Sequence, residues 1–266
     1  MANYGKVSSV TQRGLYEPFE LQVSRGQISF HRNVTVFGFN ADVDTTQVSV
    51  WPLQSLITFP AAALQMTVSS TSANDTANGT GARTVVVQGL DANYNEVSET
   101  VTMNGQTAVT MTASLLRVNY AYVLTAGSGN SAAGDIYIGT GTVTAGVPAT
   151  AYDIIKLDYN NTTTGSYTVP AGYTVYVSQG LFSTGQASGS TQVQGRLLTR
   201  GTDNIRRTAA VTTLNNGVAN YVFEYPLAVP EKTTIEATAI GSANNNAVSS
   251  MFILLLVANS YDAGNT

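Results

Sequence analysis

The chain contains no cysteine, a single histidine and few charges: 12 Lys and Arg and 16 Asp and Glu, or 11% of 266 residues. A typical soluble domain carries about 25%. Without cysteine there is no disulfide framework and no thiolate metal site. That fits synthesis in a reducing cytosol and is equally compatible with export. The shortage of Lys and Arg, at a net charge of −4, removes the electrostatic basis for binding nucleic acid or an anionic membrane. Most of the side chains that do acid–base, metal and nucleophilic chemistry are scarce. The expected class is a rigid structural or binding protein that is not an enzyme and uses no cofactor.

Long apolar runs are also missing. The longest, Met251–Ala258, is far shorter than the roughly 20 residues a membrane-spanning helix needs. It reads as a strand buried on both faces. The first residues, Met1–Lys6, lack the apolar stretch of a signal peptide, so the sequons at Asn33, Asn74, Asn78, Asn160 and Asn161 read as chance products of an Asn- and Thr-rich composition.

What is present is β-forming and turn-forming: Thr, Ser, Asn and Gln with 24 Gly and 14 Tyr, at 43% hydrophobic residues. Such a chain can bury a core without staples. Residues 1–27 are polar, weakly patterned and interrupted by Gly5, Gly14, Pro18 and Gly26. They read either as a mobile terminus or as an extended arm that orders against a neighbouring subunit, with Tyr16, Phe19 and Leu21 as anchors. From Gln27 onward the pattern is strand. Met66 and Val68 alternate with Thr67 and Ser69, the period of a half-buried strand. Ser69–Gly81 is a loop by composition. Arg83–Leu90, Val97–Met103, Leu115–Leu124 and Asp135–Gly139 continue the series, and Asn104-Gly105 signals a hairpin.

The Gly-, Thr- and Ala-rich stretch Gly139–Ala151 marks the expected boundary between domains. A second series then runs through Ile154–Leu157, Tyr167–Val169, Thr174–Val177, Val193–Thr199, Ile205–Val211, Tyr221–Tyr225, Thr234–Ala239 and Met251–Ala258. Short strands at such spacing predict an all-β chain of antiparallel β-sandwich or jelly-roll domains. The expected organisation is an N-terminal arm (1–27) and two such domains (28–150 and 151–266).

The candidates for chemistry are weak. His31 has no nucleophile motif around it and reads as a strand-edge residue with a local hydrogen bond. Asp91-Ala92-Asn93-Tyr94-Asn95 resembles the start of a calcium loop. The helix–loop–helix pattern needs Gly sixth and Glu twelfth, and Glu96 and Thr102 stand there instead. A turn capped by its own Asx side chains is the simpler reading. Asp42 and Asp44 share one face of an extended chain, which suits a cation, and read more simply as a solvated strand end. Gly139–Gly146 lacks the Lys of a phosphate-binding loop and reads as a linker or hairpin end. Arg196, Arg200, Arg206 and Arg207 form the only basic cluster, read as a solvated sheet face or as a surface for carboxylates of another subunit. The tyrosines suit protein interfaces and sugar-binding surfaces equally.

Several segments together carry a resemblance. They are Phe39–Thr45, Asp75–Val85, Gly89–Glu96 with Ser98–Val101, Leu116–Asn119, Tyr167–Gly172 and Pro230–Glu236. Their series, over about residues 35 to 258, resembles virion structural proteins of tailed bacteriophages, especially those of marine and cyanobacterial hosts. Each motif is turn chemistry, and the order carries the specificity. The resemblance implies a virion part with no catalytic residue to transfer. One form is a capsid decoration or cement protein on the outer surface of the head, a homotrimer bound to the major capsid protein and assembled in the host cytoplasm. The other is a tail, neck or fibre-associated protein that contacts the host surface, with loops 69–81 and 125–134 carrying recognition.

Overall fold

In a computed structural model, residues 17–186 and 191–260 are described. The elements run in order α1 (Phe19–Ser24), β1 (His31–Val43), β2 (Val48–Ser49), β3 (Leu64–Ser70), β4 (Ala82–Leu90), β5 (Glu96–Thr102), β6 (Val109–Leu115), β7 (Arg117–Ala126), β8 (Ile136–Thr144), β9 (Val147–Ile155), β10 (Ser166–Thr168), β11 (Tyr173–Gln186), β12 (Val193–Arg200), β13 (Arg206–Leu214), β14 (Gly217–Val229), β15 (Thr234–Gly241) and β16 (Asn246–Ala258). The protein is all-β, and every registered strand pair is antiparallel.

The strands form four sheets. Two of them, β1-β16-β11-β14 and β10-β15-β12-β13 with β2 beside β15, share one buried cluster. It includes Val36, Val50, Val177, Phe182, Leu197, Ile235, Phe252 and Leu254. The other two, β6-β3-β8-β9 and β5-β4-β7, share a second cluster around Met66, Val85, Val87, Met111, Leu115, Ile136 and Ile138. The expected division into 28–150 and 151–266 does not follow these cores. β1 pairs with β16 from His31↔Val257 to Val43↔Asn246, so the first long strand belongs with the last ones. Strands β3 to β9 are an insertion into that unit. The Gly-rich stretch taken for a boundary is the β8–β9 hairpin end, turning at Ala145 (φ 49°) and Gly146 (φ 83°). Gly146 lies so close to the Ser70 carbonyl that a Cβ would sit 1.9 Å from its oxygen. That glycine serves close packing rather than linker freedom.

With the insertion and the two-residue β2 set aside, the remaining eight strands are β1, β10, β11, β12, β13, β14, β15 and β16. Numbered one to eight in chain order, their sheets read 1-8-3-6 and 2-7-4-5.

Other expectations are corrected locally. Asn104-Gly105 does not close a hairpin. β5 pairs with β4 and β6 pairs with β3, so the turn carries the chain from one sheet to another. The run Met251–Ala258 is fully buried on one face and only partly on the other, where Val257 is buried. Phe252, Leu254 and Leu256 are in the core, while Met251, Ile253 and Leu255 are half-buried on the opposite face. Within the described part of the arm, residues 19–24 are a helical turn instead of extended chain. Val23 and Gln22 are buried, and the Asn33 side-chain Nδ2 donates to Glu20 O and Ser24 Oγ at 3.0 and 2.8 Å. Tyr16 lies outside the described residues.

The loops expected to be free for recognition are tied to one another. Asp75 is fully buried. Its carboxylate accepts from Ser70 Oγ (2.5 Å) and from the amides of Ala82 (2.6 Å), Ala133 (2.8 Å) and Gly134 (3.0 Å). One side chain thus satisfies donors at the end of β3, at the start of β4 and in the β7–β8 loop. Replacing Asp75 by Ala orphans those amides and is expected to lower unfolding free energy by roughly 2–4 kcal/mol. The denaturant midpoint measured against the parent chain checks this.

Candidate functional site

The basic cluster divides between interior and surface: Arg200 and Arg206 turn toward a buried carboxylate, while Arg207 stays in solvent. Arg200 on β12 is only 4% exposed, and Glu236, opposite Leu198 on the neighbouring strand β15, is fully buried. Glu236 accepts from Ser49 Oγ at 2.6 Å and from Arg206 Nε at 3.1 Å, with Arg200 at 3.8 Å. The Ile57 carbonyl accepts from Arg206 at 2.8 Å and from Arg200 at 3.4 Å. Phe59, two residues on, is stacked between two cations. The guanidinium carbons of Arg117 and Arg200 stand 4.1 and 4.0 Å from its ring centre. Arg117 belongs to β7 of the insertion, so the stack joins the two units through one aromatic ring. Burial pulls the Arg200 guanidinium down to about 10 against the opposing pull of Glu236. Burial lowers Arg117 as well.

This cluster therefore acts as a structural clamp. Of the four arginines singled out in the sequence, Arg200 and Arg206 are spent on Glu236. Arg196 is held by Gln194 and Gln47 at 2.7 and 3.1 Å. Arg207 pairs with Asp203 at 2.7 Å in solvent. Sequence reasoning missed Arg117, Phe59 and Glu236 because they meet across long stretches of chain, 58 positions from Phe59 to Arg117 and 187 from Ser49 to Glu236. Removing the carboxylate leaves buried guanidinium groups without a counter-charge. Glu236→Gln is expected to cost roughly 3–5 kcal/mol, with part of the loss restored by adding Arg206→Met. Unfolding of the single and double variants measures both.

The other sequence candidates resolve individually. His31 Nδ1 lies 2.8 Å from the Ser29 carbonyl, and its ring meets Phe19 edge-on at 5.7 Å. Asp91 accepts from the Asn93 and Asn95 amides at 2.7 and 2.9 Å, which is an Asx-capped turn. Asp44 accepts from the Asn245 amide at 3.0 Å, whereas one oxygen of Asp42 is buried without a partner. Among the described residues, no group of three or more His, Cys, Asp or Glu is placed to hold a metal.

Asp153 on β9 is buried, and burial raises its carboxyl to about 7 against hydrogen bonds from Thr164 Oγ1 (2.6 Å) and the Ile154 amide (2.9 Å). The native state then holds this proton more tightly than the unfolded chain. The stabilisation is full below about pH 4 and is lost as pH rises through 7. Thermal midpoints are expected to fall from pH 5 to pH 8, and Asp153→Asn is expected to flatten that slope.

A cleft of about 770 Å³ lies between the units. One wall is β1 from Arg32 to Phe37. The other is the solvent face of the β5-β4-β7 sheet, with Gln88, Ser98 and Tyr120 in one cross-strand row. Arg32 bridges the two walls to Glu96 at 2.6 and 3.2 Å. Tyr167 closes the floor, and burial raises its phenol well above the ordinary value. Because β1 is the last strand of its sheet, the cleft runs along an open strand edge.

No protein-family model and no curated protein matches the chain. Among solved structures, the VP2 subviral particle of infectious bursal disease virus aligns at 10% identity, covering 88% of this chain and 72% of that chain, with a TM-score of 0.24. The Gt strain of the same virus aligns at 11% identity, covering 93% and 80%, with a TM-score of 0.23. Superpositions of this quality fall short of a shared fold.

Proposed function

We propose that the protein is a non-enzymatic virion structural protein that binds the outer surface of a phage head as a decoration or cement protein. The observation that carries this reading is the strand order 1-8-3-6 and 2-7-4-5 over one shared core. That order supports a jelly roll of two Greek keys, an architecture used by viral capsid and lectin domains. The insertion, with its own core between two sheets, reads as a second sandwich projecting from the connection between the first two jelly-roll strands. Fold alone does not assign function. The ordered series of segments resembling tailed-phage virion proteins supports the capsid branch over the lectin branch.

The disposition of the carboxylates supports a non-enzymatic role. A glycosidase needs two carboxyl groups facing one bond. Here Asp75 is occupied by amides, Glu236 by Arg206 and Ser49, and Asp91 by its own turn. The partners in this reading are the major capsid protein and further copies of this chain, as a homotrimer closing a local symmetry axis. Nucleic acid and membrane have no part in it.

Copy number in purified virions, by quantitative mass spectrometry against the major capsid protein, tests the assignment. A ratio near one is expected. A ratio of a few per cent overturns the cement reading and places the chain at the tail, neck or fibres.

A further inference from the structure

We propose that the open edge of β1 is a strand-acceptor site, filled by residues 7–12 of a second copy of this chain. The inference rests on the self-associating part of the reading above and not on its virion location.

The orientation of the edge follows from two hydrogen bonds. The Ala258 amide donates to Phe30 O at 2.9 Å, on the side where β16 lies. The Phe39 amide donates to Thr163 O at 3.0 Å, on the opposite side. Backbone groups alternate along a strand. Asn33, Thr35 and Phe37 therefore turn their N–H and C=O groups away from β16 and into the cleft. Among the described residues, none of these six groups has a backbone partner. A row of unpaired donors and acceptors is a template for another strand, and main-chain pairing of this kind is a known mode of peptide capture.

The cleft has room for such a strand. Its volume of about 770 Å³ is within the ordinary range for binding pockets, about 300–1,000 Å³. The open stretch from Arg32 to Phe37 spans about 20 Å at about 3.3 Å per residue. An added strand would lie over Gln88, Ser98 and Tyr120. These neutral side chains accept either face of a polar, β-branched segment.

The first 16 residues supply one. Val7-Ser8-Ser9-Val10-Thr11-Gln12 has no charge, no proline and no glycine, and its length equals that of the open edge. The segment leads into Glu17 directly before α1, which is anchored on Asn33 of this same strand. A second copy is favoured by what surrounds the edge. Phe19 (44% exposed), Leu21 (46%) and Phe37 (54%) stand uncovered beside it. A strand from the chain's own terminus would leave Phe19 and Leu21 in water, whereas a neighbour docked through its arm covers them. In a closed ring, each copy would donate one arm and accept one, so no edge stays open.

The test compares the full chain, a variant lacking residues 2–16, and a synthetic peptide of residues 5–14. All sixteen strands and both cores lie after residue 30, so the shortened variant keeps the whole fold. Sedimentation is expected to show the full chain as an oligomer and the variant as a monomer. The peptide is expected to bind the variant saturably. N-methylation of its alternate amides should weaken binding at least about tenfold, because main-chain pairing carries the affinity. In the oligomer, the Asn33, Thr35 and Phe37 amides are expected to exchange hydrogen at least about tenfold more slowly than in the variant.

A full chain that is monomeric with these amides protected overturns the proposal in favour of the chain's own arm. An oligomer that survives the deletion with these amides still exchanging fast overturns strand addition. Equal binding of the N-methylated peptide does the same. None of these results alters the virion copy number, so the two readings fail separately.

Discussion

The pairing of β1 with β16 is the constraint on which everything else depends. It joins residues 31–43 to residues 246–258 and closes a loop of some 200 residues. The entropic cost of such closure grows only slowly with loop length, so a large insertion inside it is tolerated. What the insertion must do is leave and return at one place. It does so at Val50 and Gly165. The Gly165 amide donates to Val50 O at 2.9 Å, and both residues are woven onto Ala237 of β15 at 2.8 and 2.7 Å. Gly38 of β1 lies under this junction, where a Cβ would meet Val50 O at 2.5 Å and Gly165 Cα at 2.7 Å. The seam is thus locked by backbone contacts that leave no space for side chains.

The second tie between the units is chemical. Phe59 between Arg117 and Arg200, with Glu236 behind, concentrates scarce charge in the interior instead of at the surface. Burying ions is costly unless they are paired and hydrogen-bonded, and here three guanidinium groups share the Glu236 carboxylate, the carbonyls of Ile57 and Leu116, and a ring. Such an arrangement does little for net stability compared with an apolar core, but it is directional. It fixes β7 of the insertion against β12 and β15 of the unit that carries it. The scarcity of charge in the composition acquires a structural meaning: part of what remains is spent on geometry, in Asp75 between loops, Asp91 within its turn and Glu236 at the junction.

The sequence made the strands legible and left their partners hidden. Period-two alternation located the strand at Met66–Ser69, and runs of β-forming residues between turn residues located Arg83–Leu90, Thr174–Val177, Val193–Thr199 and Thr234–Ala239. Glycine was misread at Gly139–Ala151. Composition cannot tell a glycine that loosens a linker from one that lets Gly146 approach Ser70. Asn104-Gly105 was misread for a related reason, since a tight turn fixes the reversal of the chain but not which sheet receives it. α1 was missed because a six-residue helix has too little sequence to show a period. Of the site, the Asx turn at Asp91 was legible because its partners are local. The clamp and the cleft were not, because both are built from residues that meet only once β1 has found β16.

The open edge of β1 follows from the same topology. In the order 1-8-3-6, the first strand stands at the margin of its sheet, and the insertion leaves the chain just beyond it. The insertion could have covered that edge, and it does so only at Thr163 opposite Phe39. Over Asn33 to Phe37 it stands off, bridged by the exposed Arg32–Glu96 pair, and presents the polar row Gln88, Ser98 and Tyr120. Natural sheets blunt exposed edges with charge, proline or short strands. β1 has thirteen residues, with Arg32 near its start and no proline to interrupt pairing. An edge that long, left unguarded inside a walled cleft, is shielded from indiscriminate aggregation by the cleft itself. It remains available to a single extended strand that can thread between the walls.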